Sequence, residues 1–128
     1  MADSDNYELG MDLRRSMWGT AGAEERVNQA TSFNRPFEDT VTKNCFGELW
    51  HRPGLDLKTR SMITLAALTA LTKPNQLKVH IQGALANGVS VEEVREIIMH
   101  TAMYAGLPCG VEAMAAAKEV LGKAGLDK

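Results

Sequence analysis

The chain is poor in cysteine and aromatic residues and has no long apolar run. Cys45 and Cys109 are its two cysteines, far apart in the sequence. Two thiols do not make a disulfide framework. The first residues, Met1-Ala2-Asp3-Ser4-Asp5, have neither the basic nor the apolar part of a secretory leader. Together these absences predict a reducing compartment, and a cytoplasmic location is expected. No stretch is apolar for long enough to span a bilayer, so no membrane is expected as a partner. No basic run exists, and a net charge of −2 leaves no electrostatic footprint for nucleic acid. CxxC, HExxH and a glycine-rich phosphate loop are all missing, so zinc, P-loop and dinucleotide chemistry have no support. The expectation is no metal site and no cofactor.

β-branched alternating runs are missing too, while Ala, Leu, Met, Glu and Lys dominate. The 128 residues predict one all-α domain over 1–128, a helical bundle of six to seven helices. The first helix is expected over about Asp5–Met17, stopped at Gly19, and a short second over about Ala23–Gln29. A third starts after Asn34, a candidate N-cap, with Pro36 in its first turn, and runs to about Trp50. Asp56 is expected to cap a fourth helix ending near Thr72. Pro74 opens a fifth that stops at Asn87-Gly88. Ser90-Val91-Glu92-Glu93 reads as a capping box opening a sixth, which ends at Gly106. Pro108 starts the last, through about Leu121.

The fourth helix carries Met62, Ile63, Leu65, Ala66, Leu68, Ala70 and Leu71 and has no polar face. Such a helix needs cover on every side. It is either the central core helix or shared with a neighbouring subunit. Met99 and Met103, which interrupt the charged face of the sixth helix, also point to a homo-oligomer.

The chemistry-bearing residues gather around one turn, Glu48-Leu49-Trp50-His51-Arg52-Pro53-Gly54, and just beyond it at Arg60. Arginines at the mouth of an apolar cavity grip carboxylates through paired hydrogen bonds. An anionic small molecule is therefore the expected ligand. At about 100° per residue, Phe37, Val41, Cys45 and Glu48 share one face of the third helix. A carboxylate on that apolar face is either an ion-pair partner holding the turn or a proton-handling group with a raised pKa. His80 sits at the edge of an apolar stripe formed by Leu77, Ile81, Ala84 and Leu85. It is either a satisfied boundary histidine or a proton carrier. His100 lies with Glu93, Glu96 and Tyr104 on a polar face, and His51 at a helix end. Arg60 is in the first turn of the all-apolar helix, where an arginine needs an anion: Glu48, Asp56 or a substrate. Cys45 reads as packing. Cys109, at a helix start after Pro108, is the more reactive candidate.

An ordered set of segments then resembles the carboxymuconolactone decarboxylase family. They are Gly10-Met11-Asp12-Leu13-Arg14-Arg15, Phe46-Gly47-Glu48-Leu49-Trp50, Arg52-Pro53-Gly54-Leu55-Asp56 and Thr59-Arg60-Ser61. Leu77-Lys78-Val79-His80-Ile81, Asn87-Gly88-Val89 and Tyr104-Ala105-Gly106-Leu107-Pro108 follow in order. The wider alkylhydroperoxidase D-like superfamily is more distant. Where its redox cysteines stand this chain has Pro74 and Leu77, and its relay glutamate corresponds to about Ser61. The family's pattern is also broken at Cys45-Phe46, Gln76 and Cys109. The resemblance implies an alkylhydroperoxidase D-like fold and a homo-oligomer, trimer or hexamer, with sites near subunit contacts. It implies cofactor-independent decarboxylation of 4-carboxymuconolactone to the 3-oxoadipate enol-lactone in protocatechuate catabolism. Catalytic roles then fall to His80, Glu48 and Tyr104, and binding of the anionic lactone to Arg52, Arg60 and Trp50. A different lactone or keto acid as substrate, or a non-catalytic oligomeric binder, remains the alternative.

Overall fold

A computed structural model describes residues 3–128. Among them are six α-helices and no strand, so the all-α expectation holds. The chain forms two compact units, the first ending at Leu57 and the second running from Lys58 to Lys128.

In the first unit, α1 (Asp3–Asn28) is two helical arms broken at Gly19. That residue has φ 81° and ψ 155°, a backbone conformation that glycine adopts without a side-chain clash. The predicted stop is therefore a kink. Arg15 spans it, donating from Nε and Nη2 to Glu24 Oε1 at 3.1 and 3.0 Å. α2 (Arg35–Thr40) follows, with Pro36 in its first turn. Asn34 makes no side-chain cap to α2; its Oδ1 accepts the Thr31 N–H instead, at 2.7 Å.

The third predicted helix does not run on to Trp50. α2 passes directly into a π-helical stretch, Val41–Phe46, and then a 3₁₀ turn, Leu49–His51. The Gly47 N–H reaches back five residues to the Thr42 carbonyl at 2.8 Å. Wider turns shift the phase of every residue after them. Glu48 consequently ends up exposed, and the carboxylate that is buried is Glu38. Phe37, which was to share an apolar face with Glu48, is 68% exposed.

Leu13, Met17, Phe46 and Trp50 form this unit's core. The Phe46 ring meets Trp18 edge-on at 5.6 Å and stacks on Trp50 at 5.7 Å. α1 approaches the π-helical stretch closely. A Cβ at Gly10 would run into the Thr42 carbonyl oxygen, and one at Gly47 into the Asn6 carbonyl oxygen.

The second unit takes in α3 (Leu57–Ala70, its first residue closing the first unit), α4 (Pro74–Ala86), α5 (Val91–Ala105) and α6 (Leu107–Lys123). Its core joins Leu65 of α3 to Leu77 and Ile81 of α4, Val94 and Ile98 of α5, and the alanines of α6. Each large aliphatic side chain buried this way contributes about 1.5–3 kcal/mol. α3 ends with Thr72 at φ 53° and the Lys73 N–H bonded to the Leu68 carbonyl at 3.0 Å. The Ser90–Glu93 capping box forms as expected: Glu93 N–H donates to Ser90 Oγ (3.0 Å) and Ser90 N–H to Glu93 Oε1 (2.9 Å).

α3 is not a central helix. Its buried positions are Ser61, Leu65 and Thr69, while Ile63 is 53% and nearby Leu71 65% exposed. Ile63 and Leu71 face out, while Leu65 and the two hydroxyls face in. Thr69 satisfies its hydroxyl locally, donating to the Leu65 carbonyl at 2.8 Å.

Candidate active site

Some of the candidate residues lie on a turn of the first unit. Glu48 precedes the 3₁₀ segment, His51 N–H bonds to the Glu48 carbonyl (3.2 Å) and Arg52 N–H to the Leu49 carbonyl (3.1 Å). Arg52 then leaves in an extended conformation, φ −66° and ψ 138°, before Pro53-Gly54. This puts Glu48 and Arg52, both exposed, on one short turn. Trp50, between them, points the other way. It is 6% exposed and stacked under Phe46, so it supports the turn from inside. His51 lies within 3.2 Å of the Leu9 carbonyl through Nε2.

The second unit carries Arg60, His80 and Tyr104 on three different helices. Arg60 is half-buried in the first turn of α3, and its carbonyl accepts the Thr64 hydroxyl at 2.9 Å. His80 is half-buried in α4, next to buried Ile81 and three residues after buried Leu77. The boundary position read from the sequence is the observed one. Tyr104 is 85% exposed near the end of α5, its ring tilted against His100 at 5.1 Å. Glu96, His100 and Tyr104, spaced by four, form one row along α5.

Beside that row an apolar groove of about 650 Å³ opens between α5 and α6. Met99, Met103, Leu107, Val111 and Met114 line it, with Glu96 and His100 at its edge. A second groove, of about 370 Å³, lies between α3 and α5 and shares Glu96 and His100. The methionines were visible in the sequence as an interruption of the charged face. The α6 wall was not, because its exposed Val111 and Met114 sit in an alanine-rich helix that reads as core.

The cysteines are placed for packing. Burial pushes the Cys45 thiol up, against the smaller opposing effects of a Trp50 hydrogen bond and the Arg14 charge. Cys109 is 6% exposed, and its Sγ–H donates to the Gly106 carbonyl at 2.9 Å. Glu93 is held below the usual carboxylate range, first by the Ser90 backbone N–H and then by Lys58. Among the described residues, no three His, Cys, Asp or Glu side chains group closely enough to hold a metal ion. No helix of the described residues is long and apolar enough to cross a membrane.

The family model described as "Carboxymuconolactone decarboxylase family" matches residues 35–119 and so takes in parts of both units. The chain belongs to the carboxymuconolactone decarboxylase family. It is 35% identical to 4-carboxymuconolactone decarboxylase of Acinetobacter baylyi over 98% of this chain and 94% of that one. It is 37% identical to nitrosuccinic acid decarboxylase of Metarhizium robertsii over 84% of this chain and 76% of that one. An uncharacterized 15.0 kDa protein of Paracoccus denitrificans is 40% identical over 59% of this chain and 58% of its own. The family and the two named relatives make this chain a decarboxylase, a carboxy-lyase on an all-α scaffold. Ser61 and Asn87, which the sequence reading did not single out as site residues, are joined by a hydrogen bond beside Arg60.

Proposed function

We propose that this decarboxylase converts 4-carboxymuconolactone to the 3-oxoadipate enol-lactone in protocatechuate catabolism, without a cofactor. The supporting observation is the near full-length similarity to the Acinetobacter enzyme of that name.

The chemistry suits a chain that relies on side chains alone. When the bond to the departing carboxylate breaks, CO2 leaves without the bonding pair. That pair moves through the ring double bond onto the lactone carbonyl oxygen, giving a furan-like oxyanion. A proton delivered to the carbon next to that carbonyl then completes the enol-lactone. The substrate is its own electron sink. The protein's tasks are to hold the remaining carboxylate, stabilise the oxyanion and supply the proton.

We assign Arg52 and Arg60 to carboxylate binding, because a guanidinium matches a carboxylate with two parallel donors. Trp50, packed beneath the Glu48–Arg52 turn, supports that binding from inside. His80 is assigned to proton delivery, with Tyr104 as a hydroxyl donor and Glu48 as an orienting carboxylate. A preorganised donor to an oxyanion contributes roughly 3–4 kcal/mol, and a placed general acid about 10²–10⁴-fold in rate.

The working form in this reading is a homo-oligomer, trimer or hexamer. Ile63, Met99, Met103, Tyr104, Leu107 and Val111 are at least half exposed on the three helices that border the two grooves. So much apolar surface on one small unit marks a contact face, and a second copy is its occupant. Tyr104 would be desolvated only by that contact. Two free thiols fit a cytoplasmic setting.

The similarity to a nitrosuccinic acid decarboxylase favours a second reading, another activated dicarboxylic acid as substrate. Nitrosuccinic acid also has a carboxyl group on a carbon attached to an electron-withdrawing group, and a second carboxyl that stays. Purified protein mixed with freshly generated 4-carboxymuconolactone, nitrosuccinate and a simple β-keto acid decides between them. Rapid CO2 release from the lactone alone supports the first reading. Release from nitrosuccinate alone selects the second, and release from none refutes both.

A further inference from the structure

The first turn of α3, which carries Arg60, is tied on both sides to one short connection. Lys58 Nζ pairs with Glu93 Oε2 at 3.1 Å, and Glu93 is itself locked into the capping box that opens α5. On the other side of Arg60, Asn87 Nδ2 donates to Ser61 Oγ at 3.0 Å. Ser61 is 2% exposed, so this is a buried polar contact. Asn87 is well placed to act as a fixed post. It is the C-cap of α4, and its own N–H bonds back to the Gly83 and Ala84 carbonyls at 3.0 and 3.1 Å. Two residues on, Val89 is 3% exposed in the core, its N–H bonded to the Ala84 carbonyl at 3.0 Å. The backbone on both sides of Asn87 is therefore anchored, and its amide has little freedom.

We propose that Asn87, acting through Ser61, is a positioning residue for Arg60. It is a specificity-setting tie between the arginine that grips the substrate carboxylate and the helix that carries His80. The proposal rests on the carboxylate-binding role assigned to Arg60 above. Asn87 lies about 10 Å along α4 from His80, two turns on. The Asn87–Ser61 bond fixes where α3 begins relative to that helix. A charge-assisted fork on a carboxylate works only at short, aligned distances, so a displaced turn weakens the grip on the carboxylate. A buried hydroxyl losing its partner gives the turn a reason to move, because the group seeks another donor or water.

The test uses full-length Asn87→Ala, Ser61→Ala, the double variant and Arg60→Lys, each with its melting temperature and oligomeric state recorded. Two readouts are taken: KM and kcat on the lactone, and affinity for furan-2,5-dicarboxylate, an unreactive planar dicarboxylate, by calorimetry. The expected result is that Asn87→Ala and Ser61→Ala each raise KM about 3–10-fold and weaken the dicarboxylate by the same factor, with kcat within about twofold. The double variant should be no worse than either single, since both remove one bond. On an Arg60→Lys background the added effect should shrink. A lowered melting temperature with unchanged KM and affinity overturns the proposal and leaves the bond purely structural. If Asn87→Ala does not fold, Ser61→Ala, which removes only one oxygen, carries the same outcomes. Wild-type protein that binds the dicarboxylate but releases no CO2 refutes the substrate reading, and the affinity series then decides the tie alone. Wild-type protein that binds no dicarboxylate overturns the tie along with Arg60's role.

Discussion

Arg14 and Glu38 form an ion pair below the surface of the first unit. Arg14 Nη1 lies 3.4 Å from Glu38 Oε2 and donates to Thr42 Oγ1 at 2.9 Å, while Arg26 Nε reaches Glu38 Oε1 at 3.3 Å. The Arg14 guanidinium also sits 5.5 Å over the Phe46 ring. The pair links α1 to α2 and the π-helical stretch, where a lone charge would be costly.

Removing one member of a buried pair leaves the other uncompensated. Glu38→Ala should therefore lower stability by about 3 kcal/mol, the lower end for such pairs because the contacts are long and Arg26 is half exposed. Arg14→Met combined with Glu38→Leu should recover most of it. Urea unfolding monitored by tryptophan fluorescence checks both, and a loss under about 1 kcal/mol for Glu38→Ala would show the pair to be dispensable.

Acid should loosen the Ser90–Glu93 start of α5. Glu93 has its pKa lowered in the fold, so its contribution is complete above the ordinary glutamate range. That contribution is lost as pH falls through the lowered value. Glu93→Gln should flatten that part of the melting-temperature profile between neutral and strongly acid pH. Profiles of equal steepness would assign the acid limb to other carboxylates.

Gripping and proton transfer should separate kinetically. Arg52→Lys and Arg60→Lys keep the charge but lose the fork, and should mainly raise KM, by roughly 10–100-fold. His80→Gln should lower kcat about 10²-fold or more while binding persists. Near-normal turnover by His80→Gln in a correctly assembled protein would move the acid role to Tyr104 or Glu48.

Assembly should depend on the α5–α6 groove. Val111→Glu, placing a charge where the side chain is 68% exposed, should not harm an isolated chain but should break the oligomer. Light scattering at micromolar concentration reads this directly. A wild-type monomer refutes the assembly, and an intact Val111→Glu oligomer places the contact elsewhere.

Much of the architecture was legible from local chemistry. The break at Gly19, Pro36 and Pro74 in first turns, the Ser90–Glu93 box and the stop before Pro108 all depend on residues within one turn of each other. The ordered motifs carried the family in the same way, because they are strings. The boundary position of His80 followed from the period of the α4 stripe.

Phase and exposure were another matter. Reading Glu48 as a buried carboxylate assumed 100° per residue through Trp50, and the π-helical stretch ended that assumption after Thr40. No single residue type demands a π-helix; close packing of Gly10 and Gly47 against neighbouring carbonyls accompanies it here. The same limit hid Glu38 and its partner Arg14, which are 24 residues apart. α3 looked like a core helix because composition reports how apolar a helix is, not which side is covered. The sequence by itself determined helix ends, turn chemistry and family, since each rests on near neighbours. Only the tertiary structure decided which carboxylate is buried, which side of α3 stays open, and that Asn87 holds the turn of Arg60. Those depend on packing between segments far apart in the chain, where small phase shifts accumulate.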